Sequence, residues 1–258
     1  PRPAPAPLRR PALVLACLMS LAPDLPAQSP QPPVAERRPF ADTVHGDVRP
    51  DEYAWLKTKS DPAVAAYLEA ENRYAEAALA PTRGLQERLY QEMLGRIKQT
   101  DLSVPVRDRG WFYYTRTVEG QQYPIHARKR GSLDAPEQVT LDVNELARGQ
   151  TFMALGAYTV SDDGNLLAYS TDSTGFRQYT LRVRDLRTGE VLPDRVEKVV
   201  SVAWAGDDRT LFYTVEDAAK RSHRVYRHVL GADPATDALV YEEADERFGV
   251  YVGRGRSR

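Results

Sequence analysis

From Val104 to the end of the chain, apolar and polar residues alternate with a period of two. Residues one apart in a strand point to opposite faces, so this pattern predicts short strands with one buried face. Those strands are Trp111–Thr117, Tyr123–Arg130, Gln138–Val143, Tyr158–Ser161, Leu166–Thr171, Tyr179–Leu186, Lys198–Ala205, Thr210–Val215, Arg224–Val229 and Ala238–Glu242. Glu119-Gly120, Gly131–Pro136 and Asp162-Asp163-Gly164 punctuate them. Asp-Gly between alternating runs predicts a hairpin, because Gly accepts the positive φ of a tight turn.

The pattern repeats. Val160–Ser170 aligns with Trp204–Thr214 at a constant offset of 44 residues, with Asp163 over Asp207, Leu167 over Leu211 and Tyr169 over Tyr213. A period of this length with several strands in each unit predicts β-propeller blades, about two to three of them here. Blades of an open ring leave exposed edges, so the strand count predicts a partial propeller and an incomplete chain or gene model.

Upstream, the period is helical. Asp61 is a good N-cap with Pro62 at the first helical position. Val64, Tyr67, Leu68, Tyr74, Ala75 and Ala78 then form one apolar stripe, and Pro81 ends the helix. Leu85, Leu89, Met93 and Ile97 stripe a second helix from about Leu85 to Lys98, which predicts an antiparallel pair. Between linker and helices, Tyr53 and Trp55 stand in a polar stretch, as aromatics that dock a segment onto a neighbouring surface do.

The first 39 residues follow neither period. Arg2, Arg9 and Arg10 precede the apolar run Ala12–Ala22, which is too short to span a bilayer. Residues 1–27 are therefore expected to be a signal peptide, with export to the periplasm or medium; Cys17 offers an alternative as a lipidation site. A cytoplasmic protein with a disordered extension is the other reading. Residues 28–39 are a Pro-rich linker, residues 40–103 an N-terminal helical segment and residues 104–258 an incomplete propeller.

Composition narrows the function. The 258 residues carry 35 Lys plus Arg against 36 Asp plus Glu, a formal charge of −1. Removing residues 1–27, with three Arg and one Asp, leaves 32 against 35. That balance lacks the basic footprint of a nucleic-acid binder. With Cys17 the single cysteine, neither a disulfide nor a cysteine-based metal site is available.

His45, His126, His223 and His228 show no metal-ligand spacing, and His126 and His228 fall in strands, where a hydrogen-bonded histidine is expected. No phosphate-binding loop or complete dinucleotide fingerprint occurs. Gly255-Arg256-Ser257-Arg258 supplies four positions of the nucleophile-elbow pattern, but without the hydrophobic strand that should precede it. Ser257 thus reads as part of a polar strand or loop of the third blade. Asp162-Asp163 and Asp207-Asp208 read as turn residues that bond their own backbone. Glu242, Glu243, Asp245 and Glu246 read as a solvated loop, with a cation-attracting rim as the alternative. No catalytic, cofactor-binding or metal-binding residue is assigned, and no cofactor is expected.

Several ordered stretches carry a resemblance. They are Arg49-Pro50-Asp51-Glu52-Tyr53-Ala54-Trp55-Leu56, Ala66–Asn72, Gly95-Arg96-Ile97-Lys98 with Ser103-Val104-Pro105, Glu119–Arg128 (EGQQYPIHAR), Leu141–Ala147, and Thr174–Thr180 (TGFRQYT). From about Arg38 onward the chain resembles the N-terminal part of the oligopeptidase B branch of the prolyl oligopeptidase family of serine peptidases. It departs from the family at Asp162, where a proline is common. The resemblance implies a mainly β fold: a seven-bladed propeller after an N-terminal helical segment, capping an α/β-hydrolase domain that is missing from this sequence. It implies short peptides cut after Arg or Lys as substrates, a serine–histidine–aspartate triad in the missing domain, and a propeller that gates access to it. This chain alone is then inactive. Two alternatives stay open: a family relative of other specificity, and a propeller binding module with no catalytic domain.

Overall fold

The computed structural model describes residues 30–255. The signal-peptide reading of residues 1–27 and the position of Ser257 lie outside the described residues. The chain divides between Arg96 and Ile97 into two compact units.

The first unit opens with a hairpin, β1 (Ala41–Val44) and β2 (Asp47–Pro50), turned by His45 and Gly46 at φ 55° and 86°. Two consecutive positive φ values define the turn whose twist suits a two-residue hairpin. Both strands are almost wholly exposed, so they carry no alternation for the sequence to display. Trp55, in a short 3₁₀ turn, donates its indole N–H to the Glu36 carbonyl at 2.9 Å and lies under the Arg38 guanidinium, 4.2 Å away. It thereby docks the end of the Pro-rich stretch, as an aromatic beside a linker should.

Helix α1 (Pro62–Leu79) starts as expected, with the Asp61 carboxylate accepting from the Ala63 amide at 2.8 Å. The antiparallel pair is not formed. Pro81 interrupts the ladder without reversing the chain, because Leu79, Ala80, Thr82 and Arg83 all keep right-handed helical angles. Helix α2 (Arg83–Gly95) buries none of its residues, and Leu85, Leu89, Tyr90 and Met93 of its stripe stay exposed.

The second unit is built of three four-stranded antiparallel sheets. The first is β3 (Val106–Asp108), β4 (Trp111–Arg116), β5 (Ile125–Arg130) and β6 (Glu137–Asp142), closed by a one-turn helix α3 (Val143–Leu146). The second is β7 (Ala154–Val160), β8 (Leu166–Asp172), β9 (Thr180–Asp185) and β10 (Val191–Val196). The third is β11 (Val199–Trp204), β12 (Thr210–Glu216), β13 (Ser222–Val229) and β14 (Ala238–Glu242). In each, sequence neighbours pair in order across the sheet.

The core lies between sheets and explains the burial pattern. Leu167 and Tyr169 of β8 pack with Leu141 and Leu186, while Ala168 on the opposite face packs with Leu181, Val183, Val199, Trp204, Leu211 and Tyr213. The middle sheet is thus covered on both faces, which is why β8 is buried nearly throughout instead of alternating. On β9, Leu181 and Val183 join the Ala168 cluster, whereas Arg184 turns the other way and donates to the Thr140 carbonyl of the first sheet.

The 44-residue repeat is a structural one. At the turn after β7, Asp163 accepts from the Asn165 amide at 2.9 Å; after β11, Asp207 accepts from the Arg209 and Thr210 amides at 3.0 and 2.8 Å. The left-handed position is Gly164 in one turn (φ 76°) and Asp208 in the other (φ 54°). Both inner strands also carry a register shift, and the freed amides of Ala157 and Ser201 donate to the hydroxyls of Ser170 and Thr214 at 2.8 and 3.1 Å.

Candidate functional site

The first strands of the three sheets, β3, β7 and β11, converge on one cleft of about 320 Å³, lined by Arg109, Tyr158, Val160, Val202, Trp204 and Arg254 among others. Each sheet also sends the turn after its first strand to the same end of this cleft. These turns hold Arg109, Asp162 and Asp208, and they interlock. Asp162 pairs with Arg109 of the first sheet and with Arg254 of the segment that follows the third; Arg254 Nη2 reaches Asp162 Oδ2 at 2.5 Å. The Asp208 carboxylate accepts from the Asp162 and Asp163 amides at 2.5 and 3.2 Å. Hydrogen bonding from Arg254, helped by the nearby Arg109 charge, holds the Asp162 carboxyl below its ordinary range.

Asp162, Asp163, Asp207 and Asp208 lie in turns, as their sequence context predicts. Nothing in their local pattern points to Asp162 gathering two arginines 53 and 92 residues away in sequence. Arg109 carries the one available signal: it precedes Gly110 and takes a positive φ of 46° between two strands. Arg254 carries none, since its partner is set by how the third sheet hands the chain back toward the first strands. That return is visible in the Val250 amide bonding the Ser222 carbonyl at 2.8 Å and the Val252 amide bonding Ser201 Oγ at 2.9 Å.

The walls of the cleft are fixed by a few long-range bonds. Arg128 is buried with its guanidinium 3.7 Å over the Trp111 ring, and it donates to the Gly164 carbonyl at 2.6 Å and to Gln138 Oε1 at 2.8 Å. It belongs to the EGQQYPIHAR stretch, and its partner Gly164 lies in the second sheet's first turn. Tyr158 stacks on His126 at 4.6 Å and shares a 2.5 Å bond with Thr140 Oγ1. Burial pushes the Tyr158 phenol up to about 12 and lowers the His126 imidazole, so both stay neutral near pH 7.

The histidines are not brought together. His45 turns the first hairpin, His126 and His228 sit in different sheets, and His223 lies near its own strand's start. Among the described residues, no histidine ring bonds a serine, threonine or cysteine side chain, and no group of three His, Cys, Asp or Glu side chains is placed to hold a metal ion. Of the acidic run, Glu242 is the last residue of β14 and pairs with Arg224 at 2.9 Å, and Asp245 beyond it pairs with Arg247 at 2.6 Å. Glu242 is thus a ladder residue opposite Arg224 and not part of the expected loop, whereas Glu243, Asp245 and Glu246 follow the strand. The cleft can therefore bind or admit a mixed polar and apolar chain, and it offers no nucleophile with an adjacent base. Among the described residues, no helix is long and apolar enough to cross a membrane.

Four-stranded sheets arranged with their first strands around a common cleft and their last strands outermost are blades of a β-propeller. Comparison with known proteins carries this further. The family described as prolyl oligopeptidase, N-terminal beta-propeller domain, matches residues 32–258, and the chain belongs to it. It is 45% identical over 253 residues to dipeptidyl aminopeptidase BI of Pseudoxanthomonas mexicana, covering 91% of this chain and 35% of that protein. It is 37% identical over 233 residues to protease 2 of Moraxella lacunata, covering 87% and 34%. The solved structure of oligopeptidase B from Leishmania major superposes with a TM-score of 0.77 at 30% identity, over 84% of this chain and 33% of that one. The chain thus spans about a third of the length of the curated relatives it matches. The expected mainly β fold and the expected family both hold.

Proposed function

We propose that this chain is the access-controlling propeller part of a serine peptidase that cuts short peptides after Arg or Lys, and that the chemistry belongs to a hydrolase domain outside these 258 residues. The observation that supports this most directly is the cleft at the shared first strands. It is open, polar at its rim through Arg109, Asp162 and Arg254, and free of any nucleophile–base pair among the described residues. A site of that kind selects what passes or docks. The names protease 2 and oligopeptidase B, carried by relatives at 37% and 30% identity, support peptide substrates, and the EGQQYPIHAR stretch supports cleavage after a basic residue.

A second reading has its own support. The 45% identity to a dipeptidyl aminopeptidase favours release of dipeptides from a free N-terminus over internal cleavage. The two differ in where the substrate's amine must sit, so they separate cleanly. Given a polypeptide that joins this chain to a hydrolase domain, matched substrates with a free or an acylated N-terminus before the same Arg-amide are compared. Equal turnover supports the oligopeptidase, and loss on acylation supports the aminopeptidase. Absence of any serine-reagent-sensitive cleavage after Arg or Lys rejects the proposal. The 258-residue chain by itself is expected to hydrolyse neither substrate.

Export is part of the proposal. It rests on the basic residues Arg2, Arg9 and Arg10 before the apolar run Ala12–Ala22, and N-terminal sequencing of cell-envelope protein tests it. A mature start near residue 28 is expected; an intact N-terminus in the cytosol overturns it.

A further inference from the structure

The second and third sheets meet at two places. Near the cleft β7 touches β11, with the Ala168 core between the sheets beside it; at the outer edge β10 meets a buried polar cluster around His228. His228 on β13 is 1% exposed. Its Nδ1 lies 2.8 Å from Asp237 Oδ1, in the turn before β14, and its Nε2 lies 2.9 Å from Asp194 Oδ1, on β10 of the second sheet. The groups facing it complete the set. The Tyr213 phenol, from β12, donates to Asp237 Oδ2 at 2.7 Å, and the Gly231 amide donates to Asp194 Oδ1 at 2.6 Å. Among the described residues, no Lys or Arg bonds either carboxylate.

The geometry restricts the protonation state. An ionised carboxylate oxygen only accepts, so with both acids ionised the two ring nitrogens must both donate, and only the imidazolium does that. A neutral ring has one N–H. It would leave one buried carboxylate facing a lone pair, with its charge uncompensated, and an unpaired buried charge is strongly destabilising. We propose that His228 is an imidazolium clasp that fastens the outer strand of the second sheet to the third, and that this seam loosens when the clasp loses its proton.

Burial opposes the charge on His228, but hydrogen bonds from the ring to Asp237 and Asp194, with their negative charge, outweigh it and raise the imidazole above its ordinary value. A folded-state value above the unfolded one means stability that is complete below the unfolded value, about 6.5, and is lost as pH rises through the higher folded value. The clasp is therefore closed below about pH 6.5 and opens as pH rises through the raised folded-state value.

Asp194→Asn provides the test: its amide nitrogen can donate to a neutral Nε2 while Nδ1–H keeps its bond to Asp237, at the cost of the Gly231 amide's acceptor, a loss that does not vary with pH. That variant retains the contact and removes the need for the proton. Melting temperatures of the full chain and of Asp194→Asn are followed from about pH 6 to about pH 9. The unaltered chain is expected to lose about 3 °C or more relative to the variant across that range, a shift of the size one such interaction makes in a chain of this length. In addition, ¹⁵N spectra of histidine-labelled protein should show both ring nitrogens of His228, assigned by its absence in His228→Gln, protonated at neutral pH. Parallel melting profiles, or a neutral tautomer at about pH 6.5, overturn the proposal. If Asp194→Asn does not fold, the nitrogen spectra of the unaltered chain decide alone.

Discussion

Trp204 at the end of β11 donates its indole N–H to the backbone carbonyl of Thr159 in β7 at 3.0 Å. The two residues belong to neighbouring sheets, and Trp204 occupies the repeat position of Val160, one residue beyond Thr159. A repeat-related residue has therefore become the bolt between two copies of the repeat. Its ring is 4% exposed and sits in the cluster formed by Ala168, Leu181, Val183 and Leu211. Trp204→Phe keeps most of the apolar contact and strands the Thr159 carbonyl. The expected cost is about 1–3 kcal/mol for the unsatisfied acceptor, seen as a lower urea midpoint with an unchanged slope. An unchanged midpoint would mean that another donor reaches Thr159.

Gly164 is constrained twice. Its φ of 76° is left-handed, and a Cβ there would stand 3.0 Å from Trp111 Nε1 and 3.5 Å from Arg128 Nη1. Gly164→Ala is expected to cost about 1–2 kcal/mol for the backbone alone, and more if Trp111 must shift from beneath Arg128. Gly206, in the corresponding turn of the next sheet, has no positive φ and open space around its Cβ. Gly206→Ala is therefore expected within about 0.5 kcal/mol of the unaltered chain. Paired thermal melts of the two variants read the difference directly.

These two turns also show what the sequence could reveal. The hairpins after β7 and β11 were legible because both copies use the same Asp to bond their own backbone, and that signal is local. Strands β3 and β10 were not legible. Val106–Asp108 is three exposed residues, and Val191–Val196 reads VLPDRV, with a proline and without alternation, because it is an outer edge strand whose Pro193 needs no ladder partner. The first sheet escaped the repeat because its turn is Arg109-Gly110 in place of the Asp-containing turn, although its Tyr114 stands where Tyr169 and Tyr213 stand. The helical pair failed for a different reason. The stripe Leu85, Leu89 and Met93 is a true amphipathic face, but periodicity does not say what covers it. The charged rim was invisible for the same cause, as Arg109, Asp162 and Arg254 meet only when three sheets are stacked.

The three tyrosines extend that point into a graded prediction. On the second strand of the third sheet, Tyr213 is 3% exposed and donates to Asp237 at 2.7 Å, beneath His228. Burial and this bond raise the phenol well above its ordinary range, so it remains a donor through the alkaline range. On the first sheet Tyr114 donates to Glu137 at 2.6 Å; burial and that bond push its phenol up to about 12, but Glu137 is partly exposed and also held by Arg116 at 3.0 Å. On the second sheet Tyr169 packs equally deep and lines a cleft with Leu146 and Met153, and its hydroxyl has no protein partner among the described residues. Replacing each by Phe removes one oxygen from the same place in three blades. Tyr213→Phe leaves a buried carboxylate short of a donor and is expected to cost about 1.5–3 kcal/mol. Tyr114→Phe should cost less, near 1 kcal/mol, because Arg116 and water still serve Glu137. Tyr169→Phe should lie within about 0.5 kcal/mol of the unaltered chain. Urea denaturation at a single neutral pH ranks them. Any order other than Tyr213, Tyr114, Tyr169 would mean that the acid at the head of the fourth strand is not what makes this repeated tyrosine matter.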